Sequence, residues 1–292
     1  MMPIEAVVVS YKTGPVLGDC LASLIAEPSI TRIWLVDNGN APQTKDELQA
    51  LAAREPRLHI ISGHGNIGFS RGCNLGARDC TAPVLLFLNP DAQVQKGTIN
   101  ALIKALDLAP DFSIAGARLL DEEGKEQRGA RRGRLTPWSA LIAMSGLTIL
   151  ENLHPLFANM HWEHRPLPGA PQEVFAISGA CLMMRTETYQ ALGGFDERYF
   201  LHVEDLDLCR RARLKGGRVL FVPDARVVHA GSTSKAARLT VDWHKALGLC
   251  RYFYKFAHNP AQRLGAFVVS GPIIGTVMAR SLLITVRNAL FF

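Results

Sequence analysis

The chain has 292 residues, enough for one large α/β domain with an appended segment or for two domains. Hydrophobic residues make up 48% and charged residues 20%, which excludes an intrinsically disordered protein. Lysine and arginine outnumber aspartate and glutamate by 32 to 26, and the resulting charge of +6 favours phosphate-bearing partners such as nucleotides or lipid headgroups. Because no helix-turn-helix, zinc-finger or RNA-binding signature is present, we expect no nucleic-acid partner.

The cysteines and the N-terminus predict a reduced intracellular protein. Six cysteines lie far apart along the chain, without the paired spacing of metal ligands. The apolar run Ala6–Val9 is short, follows Glu5, and has neither a charged leader nor a cleavage site. We therefore expect no secretion signal and a cytoplasmic location.

The first third of the chain alternates short apolar runs with helical patterns, as a parallel sheet with crossover helices requires. This pattern predicts an open α/β sheet, in which ligands bind beyond the carboxyl ends of the strands. The predicted elements are, in chain order, a strand over Ile4–Ser10, a helix over Leu17–Ile25, a strand over Ile33–Val36, a helix over Gln43–Arg54, a strand over Leu58–Ser62, a helix over Gly72–Asp79 and a strand over Val84–Leu88.

Polar residues follow all four predicted strands, so hydroxyl, amide and carboxylate groups are expected at one rim of the sheet. Asp37 stands in Asp-Asn-Gly, which is good turn chemistry, but a strand-end acid can also accept hydrogen bonds from a base or a ribose. Asp91 can supply one of the oxygen ligands that Mg²⁺ or Mn²⁺ prefers, although alone it is more often a turn residue. The four strand-end stretches are SYK, DNGN, HGN and NPD.

The stretch Gly63–Gly76 is rich in glycine and opens a helix. Glycines let the backbone approach a ligand closely, and a helix N-terminus supplies N–H groups for an anion. The stretch matches neither the GxGxxG fingerprint nor a Walker loop, so dinucleotide and ATP sites lose support. A purely structural loop is the alternative interpretation.

The middle of the chain, residues 118–169, is less regular, and we expect it to cover the sheet edge and shape a cleft. Its densest basic cluster, Arg128–Arg134, is interpreted either as a solvated mobile loop or as a phosphate clamp. The strands predicted after it cover Val174–Ile177, Ala180–Arg185 and Val219–Val222.

The C-terminal part of the chain reads as helical from Val241, with a basic and aromatic face. The tail Leu264–Phe292 is the most apolar part, but Pro272, Arg280 and Arg287 interrupt it, which makes a poor membrane-spanning helix. Arginines seven residues apart on an apolar helix favour a helix on a membrane surface or a dimer face. A buried helix against a partner is the alternative.

Three acids crowd the stretch FLHVEDLDLCRR, between an aromatic-apolar entry and a basic exit. Acids in a first helical turn complement the macrodipole, and Asp207 is expected to pair with Arg210 or Arg211 one turn later. That structural explanation covers Asp207 well. It covers the adjacent pair Glu204 and Asp205 less well.

In this order, these stretches resemble the family 2 glycosyltransferases, an inverting group with the GT-A nucleotide-sugar fold, and among them the bacterial rhamnosyltransferase-type members. The resemblance runs from Ile4 to Ser234 and implies a mostly parallel, helix-flanked GT-A domain over residues 1–234, followed by a C-terminal helical segment over 235–292. The matching pieces are VVVSYKT, LVDNGN, NIGFSRGCNLGA, FLNPDAQV, ISGACLMMR, GGFDERYFLHVEDLDLCRRARLKG and VPDARVVHAGSTS.

The resemblance implies a role for each matching site residue. Asp205 is the expected catalytic base, and Glu204 is expected to orient acceptor hydroxyls. Asp91 is the expected metal carboxylate, in a motif with Asn89 where many relatives have aspartate. His229 is a second candidate metal ligand, with a hydrogen-bonded structural histidine as the alternative. The expected nucleotide-sugar-binding set is Ser10, Tyr11, Thr13, Asp37, Asn66, Gly68, Arg71, Asn74, Asn89, Asp91, Ser178 and Gly179.

The same resemblance implies inverting transfer of a sugar from a nucleotide-diphosphate sugar, with dTDP-rhamnose as a candidate donor, to a hydroxyl of a cell-surface polysaccharide or a lipid-linked glycan. It implies a divalent cation, Mg²⁺ or Mn²⁺, and an enzyme peripheral to the inner face of the cytoplasmic membrane, with a homodimer as another use of the tail. A nucleotidyltransferase that makes nucleotide sugars is one alternative, but no glycine- and arginine-rich loop follows the first strand. A non-catalytic nucleotide-sugar-binding protein is the other.

Overall fold

A nine-stranded sheet forms the centre of the protein in a computed structural model that describes residues 2–231 and 236–290, the last four of these without side chains. The strands are β1 (Ile4–Ser10), β2 (Ile30–Asp37), β3 (Leu58–Ile61), β4 (Val84–Leu88), β5 (Ala92–Val94), β6 (Ile114–Leu120), β7 (Arg131–Arg132), β8 (Gln172–Glu173), β9 (Ala176–Ile177), β10 (Cys181–Arg185) and β11 (Val219–His229). The order in the central sheet is β3-β2-β1-β4-β10-β6-β11-β5, and β8 pairs with β11. Strands β7 and β9 form a separate pair.

Six of the sheet strands point the same way. Strand β1 pairs in parallel with β2 and β4, β2 with β3, and β11 with β6. Strand β10 lies antiparallel between β4 and β6, and both β5 and β8 run antiparallel to β11. The prediction of a mostly parallel sheet is confirmed.

Helices flank the sheet. Strand β4, with the sequence VLLFL, is buried along its whole length, as expected for a strand covered by helices. Helix α3 packs on β1 and β2, and α4 packs on β6, β10 and β11. The helices are α1 (Val16–Ile25), α2 (Pro42–Ala52), α3 (Phe69–Ala77), α4 (Thr98–Asp107), α5 (Pro137–Ser145), α6 (Thr186–Ala191), α7 (Glu204–Leu214), α8 (Arg238–Lys255) and α9 (Pro260–Leu290), and short 3-10 turns cover Leu147–Leu150 and Pro155–Phe157.

The predicted elements of the first third are all present, and β1 and β4 have the predicted bounds. The other predicted elements differ from the observed ones at one or both ends. Helix α3 begins at Phe69, before the predicted Gly72, and only Ala176–Ile177 of the predicted Val174–Ile177 strand is extended. Strand β11 continues past Val222 to His229, because a register shift after Val222 takes up the proline that a regular ladder would reject.

The antiparallel strand β10 decides where the loops meet. Cys181, its first residue, pairs with Leu88, the last residue of β4. The segment before Cys181 and the segment after Leu88 therefore leave the sheet at the same edge. That edge is also the carboxyl end of the parallel strands, where the sequence predicts the ligand site.

Helices α8 and α9 pack against each other as a hairpin. The predicted interruption at Pro272 is wrong, since α9 is continuous from Pro260 to Leu290; one missing hydrogen bond does not end a helix that has turns on both sides. By length and composition Pro260–Val286 is able to cross a membrane, and 11% of its most apolar window is buried. The length and composition of this helix therefore differ from the sequence-based expectation of a poor membrane-spanning helix. Arg287 lies outside the described side chains.

The proposed division after residue 234 stays a prediction, because the boundary and the serines of the last matching motif fall in 232–235, outside the described residues. Helix α8 is nevertheless tied to the preceding part of the chain. Lys255 Nζ lies 2.7 Å from Asp196 Oδ2 and 2.5 Å from Asp207 Oδ1. The two segments share buried charge contacts.

Candidate active site

The start of α7 is held in an unusual backbone conformation. His202 and Val203, the two residues before the helix, have φ values of 68° and 73°. A left-handed conformation is rare for a β-branched residue and costs on the order of 1–3 kcal/mol. Helix α8 packs directly on this turn, since a Cβ built on Gly248 would lie 3.1 Å from Val203 Cγ2. This turn conformation directs the first side chains of α7 into the site.

Asp205 is fixed by contacts from two other segments. Its Oδ2 accepts hydrogen bonds from the Arg132 guanidinium and from the backbone N–H of Gly179 at 3.0 Å. A Cβ on Gly179 would lie 3.3 Å from the Asp205 Cβ, so only a glycine gives this carboxylate full room. Its Oδ1 accepts the N–H of Leu206 at 2.7 Å. The expected base is therefore in contact with Gly179, a member of the expected nucleotide-sugar-binding set.

Glu204, the neighbour of Asp205, is buried. Burial and, to a smaller extent, the charge of Asp205 raise the pKa of its carboxyl group to about 8. Within the described residues its Oε2 is buried without a hydrogen-bond partner. A protonated acid next to an ionised Asp205 can act as a hydrogen-bond donor, so the acceptor-orienting role expected for Glu204 stays a prediction.

Asp207 has the structural role that the sequence indicates. Its fully buried carboxylate lies 2.6 Å from Arg211 Nε, one of the two arginines expected to pair with it. Lys255 of α8 is a second cation on the same carboxylate. This network joins α7 to α8 beneath the site.

Arg132 is a site residue that the sequence analysis missed. Both interpretations of Arg128–Arg134 are wrong for its central pair: Arg131 is buried against Glu126 at 2.7 Å, and Arg132 binds Asp205. Strand β7 presents these neighbours to opposite sides, because successive strand residues alternate. The pairing of β7 with β9 fixes Arg132 opposite Ala176.

Asp91 and His229 meet at the other end of the site. Asp91 Oδ1 lies 3.1 Å from His229 Nε2, and Asn89 Nδ2 lies 3.3 Å from the same nitrogen. The His229 Nδ1 faces Gln127 Oε1 at 2.8 Å, which fixes the ring. Pairing of β11 with β5 places His229 opposite Ala92, next to Asp91.

The donor atoms of Asp91 and His229 suit two neighbouring ligands of one metal ion. Octahedral ligands at about 2.1 Å from the ion lie about 3.0 Å apart, close to the observed separation. Carboxylate and imidazole together fit Mn²⁺, and carboxylate alone fits Mg²⁺. In the described part of the chain there is no group of three or more potential ligands, so such an ion needs oxygens from the substrate.

The short segment of residues 178–180 lies between Asp91 and Asp205 and contacts both ends of the site. The backbone N–H of Asn89 donates to Ala180 O at 2.9 Å, and the N–H of Gly179 donates to Asp205. The Ser178 Oγ accepts the N–H of Ala180 at 3.2 Å and closes this turn. Residues 178–180 thus separate the Asp91 end of the site from the Asp205 end.

The polar groups after β1 and β2 bond to one another. Asp37 Oδ1 accepts the N–H groups of Gly39 and Asn40 at 2.9 and 2.8 Å, as a turn aspartate does. Asn40 also bonds Ser10 Oγ, which lies 3.0 Å from Thr13 Oγ1. The ring of Tyr11 packs at Gly39, where a Cβ would lie 3.4 Å away. The structure therefore brings these four predicted residues together.

The glycine-rich loop approaches the acidic stretch. Gly68 has φ of 86°, and a Cβ on it would lie 2.7 Å from Phe200 Cδ2 and 2.7 Å from Phe200 O. The Phe69 N–H donates to the same Phe200 oxygen at 2.7 Å. Asn66 Oδ1 accepts the Gly68 N–H at 3.1 Å. Gly68 is needed for this close approach.

Asn74 and Arg71, the other predicted residues of the loop, contact the segment before the acids. The Asn74 amide donates to Phe195 O and accepts from Tyr189 and from Phe195 N. Arg71 is largely exposed and lies 3.5 Å from Glu197. Asn74 thus has a structural function, whereas the guanidinium of Arg71 faces solvent.

Comparison with known proteins decides the family. The sequence profile “Glycosyl transferase family 2” matches residues 5–193, and the profile “Glycosyl transferase family group 2” matches residues 137–286. The chain belongs to glycosyltransferase family 2. It is 30% identical over 242 residues to the Mycobacterium tuberculosis N-acetylglucosaminyl-diphospho-decaprenol L-rhamnosyltransferase, covering 77% of this chain and 75% of that protein. It is 24% identical to the Escherichia coli rhamnosyltransferase WbbL, over 77% of this chain and 83% of that one.

Solved structures support the GT-A fold of this glycosyltransferase. The mannosyltransferase PcManGT from Pyrobaculum calidifontis, solved with GDP-Man and Mn²⁺, aligns with a TM-score of 0.60 at 14% identity over 100% of this chain and 81% of that one. GalNAc-T7, solved with UDP, GalNAc and Mn²⁺, aligns with a TM-score of 0.61 at 17% identity over 78% of this chain and 43% of that one. The expected fold and family are confirmed.

Proposed function

We propose that this glycosyltransferase moves a sugar, with inversion, from a nucleotide-diphosphate sugar to a hydroxyl of a lipid-linked glycan used for a cell-surface polysaccharide. The observation that carries the proposal is the short 178–180 segment, which bonds Asn89 on one side and Asp205 on the other. A donor diphosphate at Asp91 and an acceptor hydroxyl at Asp205 then meet across this segment. Rhamnose on dTDP is the first donor to test, because the two relatives are named as rhamnosyltransferases.

The reaction is a single in-line displacement at the anomeric carbon. The acceptor oxygen forms the new bond to that carbon as the bond to the diphosphate oxygen breaks, and the diphosphate leaves with the electron pair. Asp205 Oδ2 is held by Arg132 and Gly179, whereas Oδ1, which accepts the N–H of Leu206, keeps a second lone pair to take the hydroxyl proton. A positioned general base contributes about 10²- to 10⁴-fold to such a rate.

Asp91 and His229 are the proposed protein ligands of a divalent cation, Mn²⁺ or Mg²⁺. When bound there, the ion supplies positive charge for the departing diphosphate. Asn89 carries no charge where a second carboxylate would increase the affinity for the ion. The amide contacts His229 instead and fixes its ring. The remaining residues expected to hold the donor, after β1, β2 and in the glycine-rich loop, keep that role as part of this proposal, apart from Asn74, whose amide bonds Phe195 and Tyr189.

Helix α9 is the proposed membrane contact, at the inner face of the cytoplasmic membrane. Its outward side chains are large and apolar: Leu264, Phe267 and Leu283 are 64%, 75% and 71% exposed. A patch of this kind on a monomer marks an interaction site. A homodimer through the same face is the other use of these residues, and sedimentation with and without vesicles separates the two.

The experiment is a donor screen with the purified full chain. Thermal shift and donor turnover are measured for dTDP-rhamnose and other nucleotide sugars, with a polyprenyl-diphosphate-linked glycan as acceptor. We expect transfer by the wild-type protein, a loss of at least about 100-fold in Asp205→Asn, and no loss in Asp224→Asn, an exposed aspartate of β11. Absence of transfer from every donor, or full activity of Asp205→Asn, would refute the proposal.

A further inference from the structure

Near Arg132, the partner of Asp205, lies a group of cations that the proposed chemistry does not use. Arg128 precedes β7, Lys245 belongs to α8 and Arg280 belongs to α9, and all three side chains reach solvent. None of the three takes part in an ion pair with the described acids. We call Arg128, Lys245 and Arg280 the basic rim.

Packing places Lys245 next to the start of α7. His244 stacks on Phe200 with ring centroids 4.3 Å apart, and Gly248 packs against Val203. Residues three or four apart share one helix face, so Lys245 lies on the face that covers the turn before Glu204. The ammonium group is therefore at the mouth of the acceptor side.

The α8–α9 hairpin brings Arg280 to the same place. The helices run in opposite directions, and Cys250 Sγ lies 3.9 Å from Ser270 O. Arg280 follows Ser270 along α9 and so returns toward the first turns of α8, where Lys245 lies. Its charge acts on Lys245: partial loss of water lowers the pKa of the ammonium group, and among the nearby cations Arg128 and Arg280 lower it further.

The potential at this position is strongly positive. The backbone of His161 forms a β-bridge with Arg132, and burial, together with the charges of Arg128, Arg132 and Lys245, lowers the pKa of its imidazole to about 3. Its Nδ1 is buried without a hydrogen-bond partner in the described residues. Asp242 and Asp205 are nearby acids that oppose this field, but each pairs with an arginine, Asp242 with Arg238 at 3.5 Å and Asp205 with Arg132.

We propose that the basic rim binds the diphosphate of the lipid-linked acceptor. The inference rests on the proposed function. Three cations from three segments suit a group with several charged oxygens, and phosphate attracts lysine and arginine strongly. The apolar face of α9 carries Arg280, so one helix offers contact both to a lipid chain and to the diphosphate attached to it.

A donor diphosphate is the other source of the same chemistry. The donor has a separate candidate position at Asp91 and His229, and Gln127 connects that position to the segment that carries Arg128. Lys245 and Arg280, by contrast, belong to the helical hairpin. Variants of these two residues therefore distinguish acceptor binding from donor binding better than a variant of Arg128.

The test uses steady-state kinetics of the full chain in detergent with a polyprenyl-diphosphate-linked acceptor. In Lys245→Gln and Arg280→Gln we expect the KM for the acceptor to rise about 10-fold, one lost charge contact, with the donor KM and kcat unchanged. Arg263→Gln, an exposed arginine near the start of α9, is the matched control and should behave as wild type.

Inorganic diphosphate gives a readout that does not need turnover. It should compete with the acceptor, and the stabilisation that it confers in a thermal-shift assay should fall in Lys245→Gln and Arg280→Gln. A raised donor KM with an unchanged acceptor KM would assign the basic rim to the donor and overturn the inference. Wild-type kinetics in both variants would also overturn it, whereas failure of all transfer would refute the proposed function first.

Discussion

The two ends of the site use their polar side chains differently. At the donor end, Ser10, Asp37 and Asn40 bond to one another and build the loops that follow β1 and β2. At the acceptor end, the Glu204 Oε2 has no partner in the described residues, and Lys245 forms no ion pair with the described acids.

This difference indicates which side chains remain available to bind a ligand. A side chain that is already bonded shapes a loop and leaves backbone groups to contact the ligand, whereas a buried carboxyl group without a partner, or a cation outside any ion pair, gains most when a ligand supplies the missing contact. We infer that the donor end is pre-formed and that the acceptor end is completed by its ligand.

The largest effect is expected from Asp91→Asn. Removing the carboxylate takes away the charged ligand of the proposed cation, so transfer should fall by about 100-fold or more. The loss should appear together with weaker donor binding, measured by calorimetry with and without Mn²⁺. Donor affinity equal to wild type under both conditions would place the diphosphate elsewhere.

Arg132→Gln should have the next largest effect. The guanidinium holds Asp205 Oδ2, and a base displaced by about 1 Å can lose about 100-fold in rate. We expect kcat to fall 10- to 100-fold by this principle while the donor KM stays unchanged. Arg132→Lys, which keeps a charge but not the planar fork, should recover part of the loss. Equal rates for the two variants would argue against a positioning role.

Gly68→Ala tests the contact between the glycine-rich loop and the acidic stretch. A Cβ there meets Phe200 at 2.7 Å, so the free energy of unfolding should fall by about 1–3 kcal/mol. The matched control is Gly63→Ala, which has φ of 93° but no atom within 4 Å of its Cβ. Urea denaturation that gave the same loss for both variants would show that only backbone strain matters.

Glu204→Gln should change the pH dependence of stability. Because the pKa of Glu204 is raised to about 8, the folded protein keeps a proton that the unfolded chain releases above its ordinary value. Stability should therefore decline from about pH 5 to pH 8 in the wild type, and between pH 5 and pH 7.5 it should fall by about 3 kcal/mol relative to the variant. Parallel curves of melting temperature against pH would contradict a buried, protonated Glu204.

The sheet and the acids could be predicted because their signals are local. Apolar runs such as Val84–Leu88 mark buried strands, and acids after a bulky entry mark the start of α7. The strained turn at His202 and Val203 has no such signal, since no glycine marks it. Helix α8 packs on this turn at Gly248, which is 45 residues after Val203 in the sequence, so the contact has no local pattern either.

Arg132 could not be predicted for a different reason. Its partner Asp205 is 73 residues away in the sequence, and arginines separated by glycines are typical of a solvated loop. The role of Asn74 is equally non-local, because its amide bonds residues more than a hundred positions later. Residue type predicts which chemistry is present, and the tertiary fold decides which groups remain free to perform it.

The measurement that tests the central claim most directly is donor affinity beside transfer rate in Asp205→Asn and Asp91→Asn. The division of the site predicts that Asp205→Asn binds the nucleotide sugar as tightly as wild type but does not transfer it. It also predicts that Asp91→Asn loses donor affinity in the presence of Mn²⁺. Weakened donor binding in Asp205→Asn, with wild-type donor binding in Asp91→Asn, would contradict the assignment of the two carboxylates.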